Sequence, residues 1–156
     1  MGLRATGLTA LFLLSAMPAI ADDNSTWSAM TSIGLNGTWA PVCSAAASPS
    51  NPKLTFYLGA NDHVLRSFDR GPGVASLNVD VDSAHLVNST TIQARMRNDD
   101  PNWQDSNGTA VDVLVEVANN KMHTLQSTGI DGTQWIKDGI VVKSGNPAPT
   151  LEKCSP

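Results

Sequence analysis

The chain has 156 residues, with ten Lys and Arg against fourteen Asp and Glu, for a formal net charge of −4 at pH 7. That length fits one domain able to bury a single core. The basic residues are scattered, with no basic stripe interleaved with aromatics, which argues against a nucleic-acid partner.

Residues 1–21 read as a cleavable leader. Arg4 supplies a positive start, Ala5 to Ala16 a short apolar run, and Ala19-Ile20-Ala21 a small-x-small cleavage pattern before Asp22. The run is shorter than the roughly 20 apolar residues a membrane helix needs. The expectation is an exported, periplasmic or extracellular protein with no membrane span.

Residues 22–35 are small and polar apart from Trp27 and read as a flexible lead-in. A single β domain is expected over 36–156. Its dominant pattern is period two, the mark of strands with one buried face. Val111, Val113, Val115 and Val117 alternate with Asp112, Leu114 and Glu116. Ile92, Ala94 and Met96 alternate with polar neighbours, as do Ala75, Leu77, Val79 and Val81, and Leu54, Phe56 and Leu58 alternate with Lys53, Thr55 and Tyr57. Gly59-Ala60-Asn61-Asp62, Asn119-Asn120 and Asp138-Gly139 are turn sequences that tolerate positive φ. The pattern predicts eight or nine strands, near 37–43, 53–58, 62–68, 74–82, 85–88, 90–97, 110–118, 121–127 and a hairpin at 133–143. Short strands joined by tight turns predict an all-β antiparallel meander, either a small closed barrel or a sandwich.

Cys43 and Cys154 are the only two cysteines. In an oxidising compartment they predict one disulfide, tying the start of the domain to its C-terminal tail.

Gly37-Thr38-Trp39, at the start of the first strand, resembles the Gly-x-Trp that opens lipocalin and related calycin barrels. The resemblance implies that Gly37 and Trp39 form a structural anchor at the barrel floor, covered by a cation from the closing strands, for which Lys137 and Lys143 are candidates. A C-terminal Cys tied back to the barrel also suits that family. The tail from Trp135 to Cys154 is similar to small secreted bacterial proteins without an assigned activity.

Chemistry is sparse. There is no Gly-x-Ser-x-Gly elbow, and His63, His85 and His123 fall in separate strands with no nucleophile nearby, so no catalytic residue and no enzyme activity is assigned. Asp80, Asp82 and His85 carry metal-binding atom types but read as the solvated face of an outer strand, and no metal or cofactor is expected. The polar loop Asn98–Gly108 misses calcium-loop spacing. Its Trp103 is either a lid or a contact residue. Arg66, Arg95 and Arg97, with Arg70, form a candidate anion-binding cluster if their strands lie side by side. The binding candidates are thus Trp103, Arg66, Arg95 and Arg97. The favoured function is a binding module for a small apolar or amphiphilic ligand. The alternative is an inhibitor of a secreted hydrolase, with a protein partner at Trp103 or the Arg70-Gly71-Pro72-Gly73 turn.

Overall fold

The computed structural model describes residues 23–97 and 110–156. The leader and the loop that carries Trp103 lie outside the described residues. An α-helix, α1 (Asp23–Ser32), precedes ten strands: β1 (Gly37–Ala40), β2 (Lys53–Leu58), β3 (Val64–Asp69), β4 (Leu77–Leu86), β5 (Thr91–Arg97), β6 (Ala110–Ala118), β7 (Lys121–Gly129), β8 (Gln134–Lys137), β9 (Ile140–Val141) and β10 (Thr150–Ser155).

All the strand pairings are antiparallel and run in chain order from β1 to β9. The strand β10 lies between β1 and β7, so β1–β7 and β10 close an eight-stranded barrel. Closure leaves none of these eight strands with an open edge along its paired length. β7 serves two partners. Its first residues pair with β10 (Met122↔Leu151), and its far half pairs with β8 (Ser127↔Ile136), from which the β8–β9 hairpin continues.

The period-two runs set which faces are buried. On β5, Ile92, Ala94 and Met96 point inward, and on β6 Val113, Val115 and Val117 do the same. The turns follow their residue chemistry. Asn119 and Asn120 sit at φ 53° and 59° between β6 and β7, and Asp138 and Gly139 at 51° and 74° between β8 and β9. Positive φ at both central residues is what a two-residue hairpin turn requires.

Three features depart from the pattern read in the sequence. The stretch over 22–35 is no loose lead-in, because Asp23–Ser32 is helical and its residues Thr26 and Met30 are fully buried. The helix ends in a Schellman motif. Gly34 at φ +71° donates its N–H to the Thr31 carbonyl (2.9 Å), and Leu35 donates to Met30 (2.9 Å). Met30 and Leu35, the pair that meets across this motif, are both wholly buried. Second, the runs expected at 74–82 and 85–88 are one strand, β4. A bulge between Val81 and Ser83 shifts its register, so that Ala84 and not Ser83 is buried. Third, the C-terminal tail supplies the closing strand β10.

Cys43 and Cys154 form a disulfide across 111 positions of sequence. Cys43 sits in the β1–β2 connection, which Asn51 folds by accepting a hydrogen bond from the Val42 N–H (2.9 Å) and donating to the Val42 and Ala46 carbonyls (3.2 and 3.1 Å). Thiol labelling of denatured, unreduced protein is expected to find no free sulfhydryl. Replacing both cysteines by Ser should cost about 2–4 kcal/mol by releasing a long loop in the unfolded chain. Far-UV circular dichroism of that variant should still report the sheet, since the core contacts remain.

Candidate functional site

The helix α1 packs on β4 and β3 and closes one end of the barrel. There Trp39 has 0% exposure. Its indole Nε1 donates to the Leu35 carbonyl at 2.9 Å. Lys153 lies over the ring, its Nζ 5.6 Å from the centroid, and donates to the Gly34 carbonyl at 2.7 Å. The covering cation is therefore Lys153 of β10 and not Lys137 or Lys143. Those two sit on or just after the outlying β8–β9 hairpin, away from the β1–β10 seam. Gly37 is at φ +94°, and a Cβ there would overlap the Ser155 carbonyl, so the first residue of Gly-x-Trp is fixed by the close approach of β1 to β10. This end is a filled structural anchor.

Part of the remaining interior is not filled. A cavity of about 130 Å³, partly open to solvent, is lined by Leu54, Phe56, Arg66, Met96, Val113, Val115, Met122, Thr124, Ser127 and Ile136. Phe56, Met96, Val113, Val115 and Met122 are buried and form its apolar base. Leu54, Arg66, Thr124, Ser127 and Ile136 are half-buried and still meet solvent. Thr124 and Ser127 both face this space because of a second bulge. Between Leu114 and Val115 the β6–β7 register slips, so β7 presents Met122 and Thr124, then Ser127.

Among the described residues of that lining, Arg66 alone is ionisable. Its parity on β3 matches its buried neighbour Val64, and its cross-strand partners are Phe56 on β2 and Val79 on β4, both buried. Protein atoms surround the guanidinium, although solvent reaches part of the side chain through the cavity. Burial pushes its pKa down to about 10, which leaves it charged at neutral pH. Its Nε is buried without a hydrogen-bond partner among the described residues. An uncompensated charge in an apolar setting is costly, so its presence calls for a physical reason.

The four arginines do not gather. Arg95 and Arg97 lie on the outer face of β5. Arg95 donates through Nε and Nη2 to the two carboxylate oxygens of Asp112, each at 2.8 Å, and Arg97 Nη2 donates to Asp82 at 2.6 Å. Arg70 donates to the Ala75 carbonyl at 3.3 Å within its own turn. Arg66 alone turns inward, because residues two apart on a strand share a face and Val64 already faces the core. With Asp82 engaged by Arg97 and His85 exposed, the acidic strand face is a surface ion-pair region. Among the described residues no three His, Cys, Asp or Glu side chains cluster as metal ligands.

The hydrogen bonds from Arg95 hold the Asp112 carboxyl below its ordinary range, with the positive charge of Arg95 adding to the effect, and Asp112 in turn raises Arg95. A carboxylate with a lowered folded-state pKa adds stability above its unfolded value and loses it as pH falls through the folded one. The pair is half exposed, so Asp112→Ala should cost no more than about 1 kcal/mol at pH 7. Urea titrations should show that difference closing in acid.

The sequence left the inward solitude of Arg66 unread, although Val64-Leu65-Arg66-Ser67-Phe68 carries the signal: an arginine on the parity of two apolar residues. The cavity-facing positions of β7 had no such signal, because the bulge resets their parity. Comparison with family models, with curated proteins and with solved structures finds no match to this chain.

Proposed function

We propose that the protein is an exported small-molecule binding module, lipocalin-like in design, whose site is the barrel interior. The observation that carries this is the cavity beside Arg66, an apolar base under a polar, solvent-reached rim. Binding sites of this kind are concave, largely apolar and furnished with a few placed polar groups. The eight-stranded closed meander, and Trp39 held between the Leu35 carbonyl and Lys153, support the lipocalin-like part of the proposal. The disulfide supports an oxidising destination, and the leader read over residues 1–21 supports export. No described helix is long and apolar enough to cross a membrane.

Size bounds the ligand. A cavity of about 130 Å³ is close to the ~150 Å³ that admits a benzene-sized guest, and well under the ~300–1,000 Å³ of sites for drug-sized molecules. A compact guest fits this volume, and a long-chain lipid does not.

A set of fragments of about six to ten heavy atoms, titrated into labelled protein, tests the proposal by NMR. Binding in the lumen shifts the methyl signals of Val113, Val115 and Met122. Ser127→Leu, which fills the rim, should abolish those shifts while leaving the far-UV spectrum intact. Lumen methyls that no fragment moves would sink the proposal.

A further inference from the structure

We propose that the lumen takes a compact organic carboxylate, its head held by the Arg66 guanidinium and its apolar body resting on Phe56, Met96, Val113, Val115 and Met122. This rests on the proposal that the lumen is a small-molecule site, and adds to it the chemical class of the guest.

Charge carries the argument first. Among the described residues the lining holds one cation and no acid, so a monoanion brings their enclosed charge to zero. A neutral guest leaves Arg66 uncompensated, and a dianion replaces one unpaired charge by another of opposite sign. Each alternative keeps a net charge in an apolar space, which is the costly condition.

Donor geometry comes second. The guanidinium has five N–H donors in a planar fork and accepts nothing. Its Nε is a buried donor without a partner among the described residues, so the fork holds a donor that they leave unmet. On the outer face, Arg95 shows how such a fork is satisfied, through both oxygens of the Asp112 carboxylate. Inside, no described residue supplies a carboxylate, and the guest would. The hydroxyl-bearing side chains Thr124 and Ser127 line the same space and can hydrogen-bond a second oxygen of the guest.

Shape comes third. The base of the cavity is aliphatic and aromatic, with two methionines that adapt to irregular guests, so the body of the ligand is apolar. Volume then limits that body to about the size of a benzene ring. Benzoate and hexanoate are suitable probes.

The test compares benzoate and hexanoate with benzyl alcohol and with inorganic phosphate, by calorimetry and by NMR of the Val113, Val115 and Met122 methyls. The expected result is at least tenfold tighter binding of benzoate than of benzyl alcohol. Arg66→Met should remove that preference while leaving the affinity for benzyl alcohol unchanged or higher. It should melt at or above the wild-type temperature, since it relieves a buried charge. Benzoate binding should also weaken as pH falls through the ligand's own pKa. Should Arg66→Met fail to fold, Arg66→Gln takes its place, and the benzoate-to-alcohol ratio of the wild type decides without either. Equal binding of benzoate and benzyl alcohol, or benzoate affinity that survives loss of Arg66, overturns the carboxylate assignment and leaves the lumen site standing. Phosphate that matches benzoate overturns it too, marking a site for any anion. Lumen methyls untouched by every probe mean that the binding module itself is wrong.

Discussion

Ile92→Asp is expected to leave the chain without a folded barrel at pH 7. Ile92 has no exposed surface and sits on β5 between Leu86 of β4 and Val115 of β6, away from the cavity lining. A carboxylate there loses its hydration and finds no cation. The cost of several kcal/mol rivals the roughly 5–15 kcal/mol of total stability of such a domain. Circular dichroism and a urea titration at pH 7 check it. The neighbouring Gln93 is exposed, and Gln93→Ala should change stability by less than about 0.5 kcal/mol. Val115→Asp is the informative intermediate. Its carboxylate would face the cavity that contains Arg66, so it should be milder than Ile92→Asp, and adding Arg66→Met should make it as severe. Equal costs for Ile92→Asp and Gln93→Ala would mean that the inward face of β5 has been misassigned.

Trp39→Ala is expected to cost about 3–5 kcal/mol, at the upper end of that range. The indole fills the closed end of the barrel, and its Nε1 satisfies the Leu35 carbonyl beyond the helix end. Truncation opens a cavity, orphans that carbonyl and removes the ring beneath Lys153. β1, β10 and the segment after α1 then loosen together, because Trp39 joins Leu35 and Lys153. A thermal or urea denaturation curve measures the loss. Lys153→Met, which keeps the aliphatic cover and removes only the charge and the bond to Gly34, should cost far less, about 1 kcal/mol.

The legible parts of the fold are those in which one residue pattern decides the outcome. On β5 and β6 the inward parity is apolar throughout (Ile92, Ala94, Met96; Val111, Val113, Val115, Val117) and no bulge lies between them, so the whole pairing, from Thr91↔Glu116 to Arg97↔Ala110, follows from period two. Asn119-Asn120 then fixes the next hairpin. The disulfide was legible because only two cysteines exist. Illegible parts are those in which distant chain decides. α1 has few apolar residues and buries Thr26, so its helicity depends on the barrel mouth it covers. β10 buries one large apolar side chain, Leu151, and exists because β1 and β7 both offer it hydrogen bonds. Bulges in β4 and β7 each flip the parity that period two assumes. At the site, the arginines were readable as residues, but their separation was not. Whether Arg66 faces Arg95 or the lumen depends on which parity β3 carries into the barrel, and only the packing of Val64 settles that.

The two seams of β10 have a consequence for how the chain reaches its final state. Until residues 150–155 arrive, β1 and β7 are the raw margins of an open sheet, with unsatisfied backbone groups along both. The strand that joins them is made more than a hundred residues after β1, as the 111-position span of the disulfide records. Such distant pairing is slow to find, and an open margin invites another copy to fill it. The barrel therefore cannot close while β10 is still in the ribosome. Closure thus follows release of the whole chain, and the Cys43–Cys154 bond ties its two distant ends together. Bond formation then acts as a latch on a completed ring, and a chain cut before Thr150 should accumulate as aggregates with exposed margins.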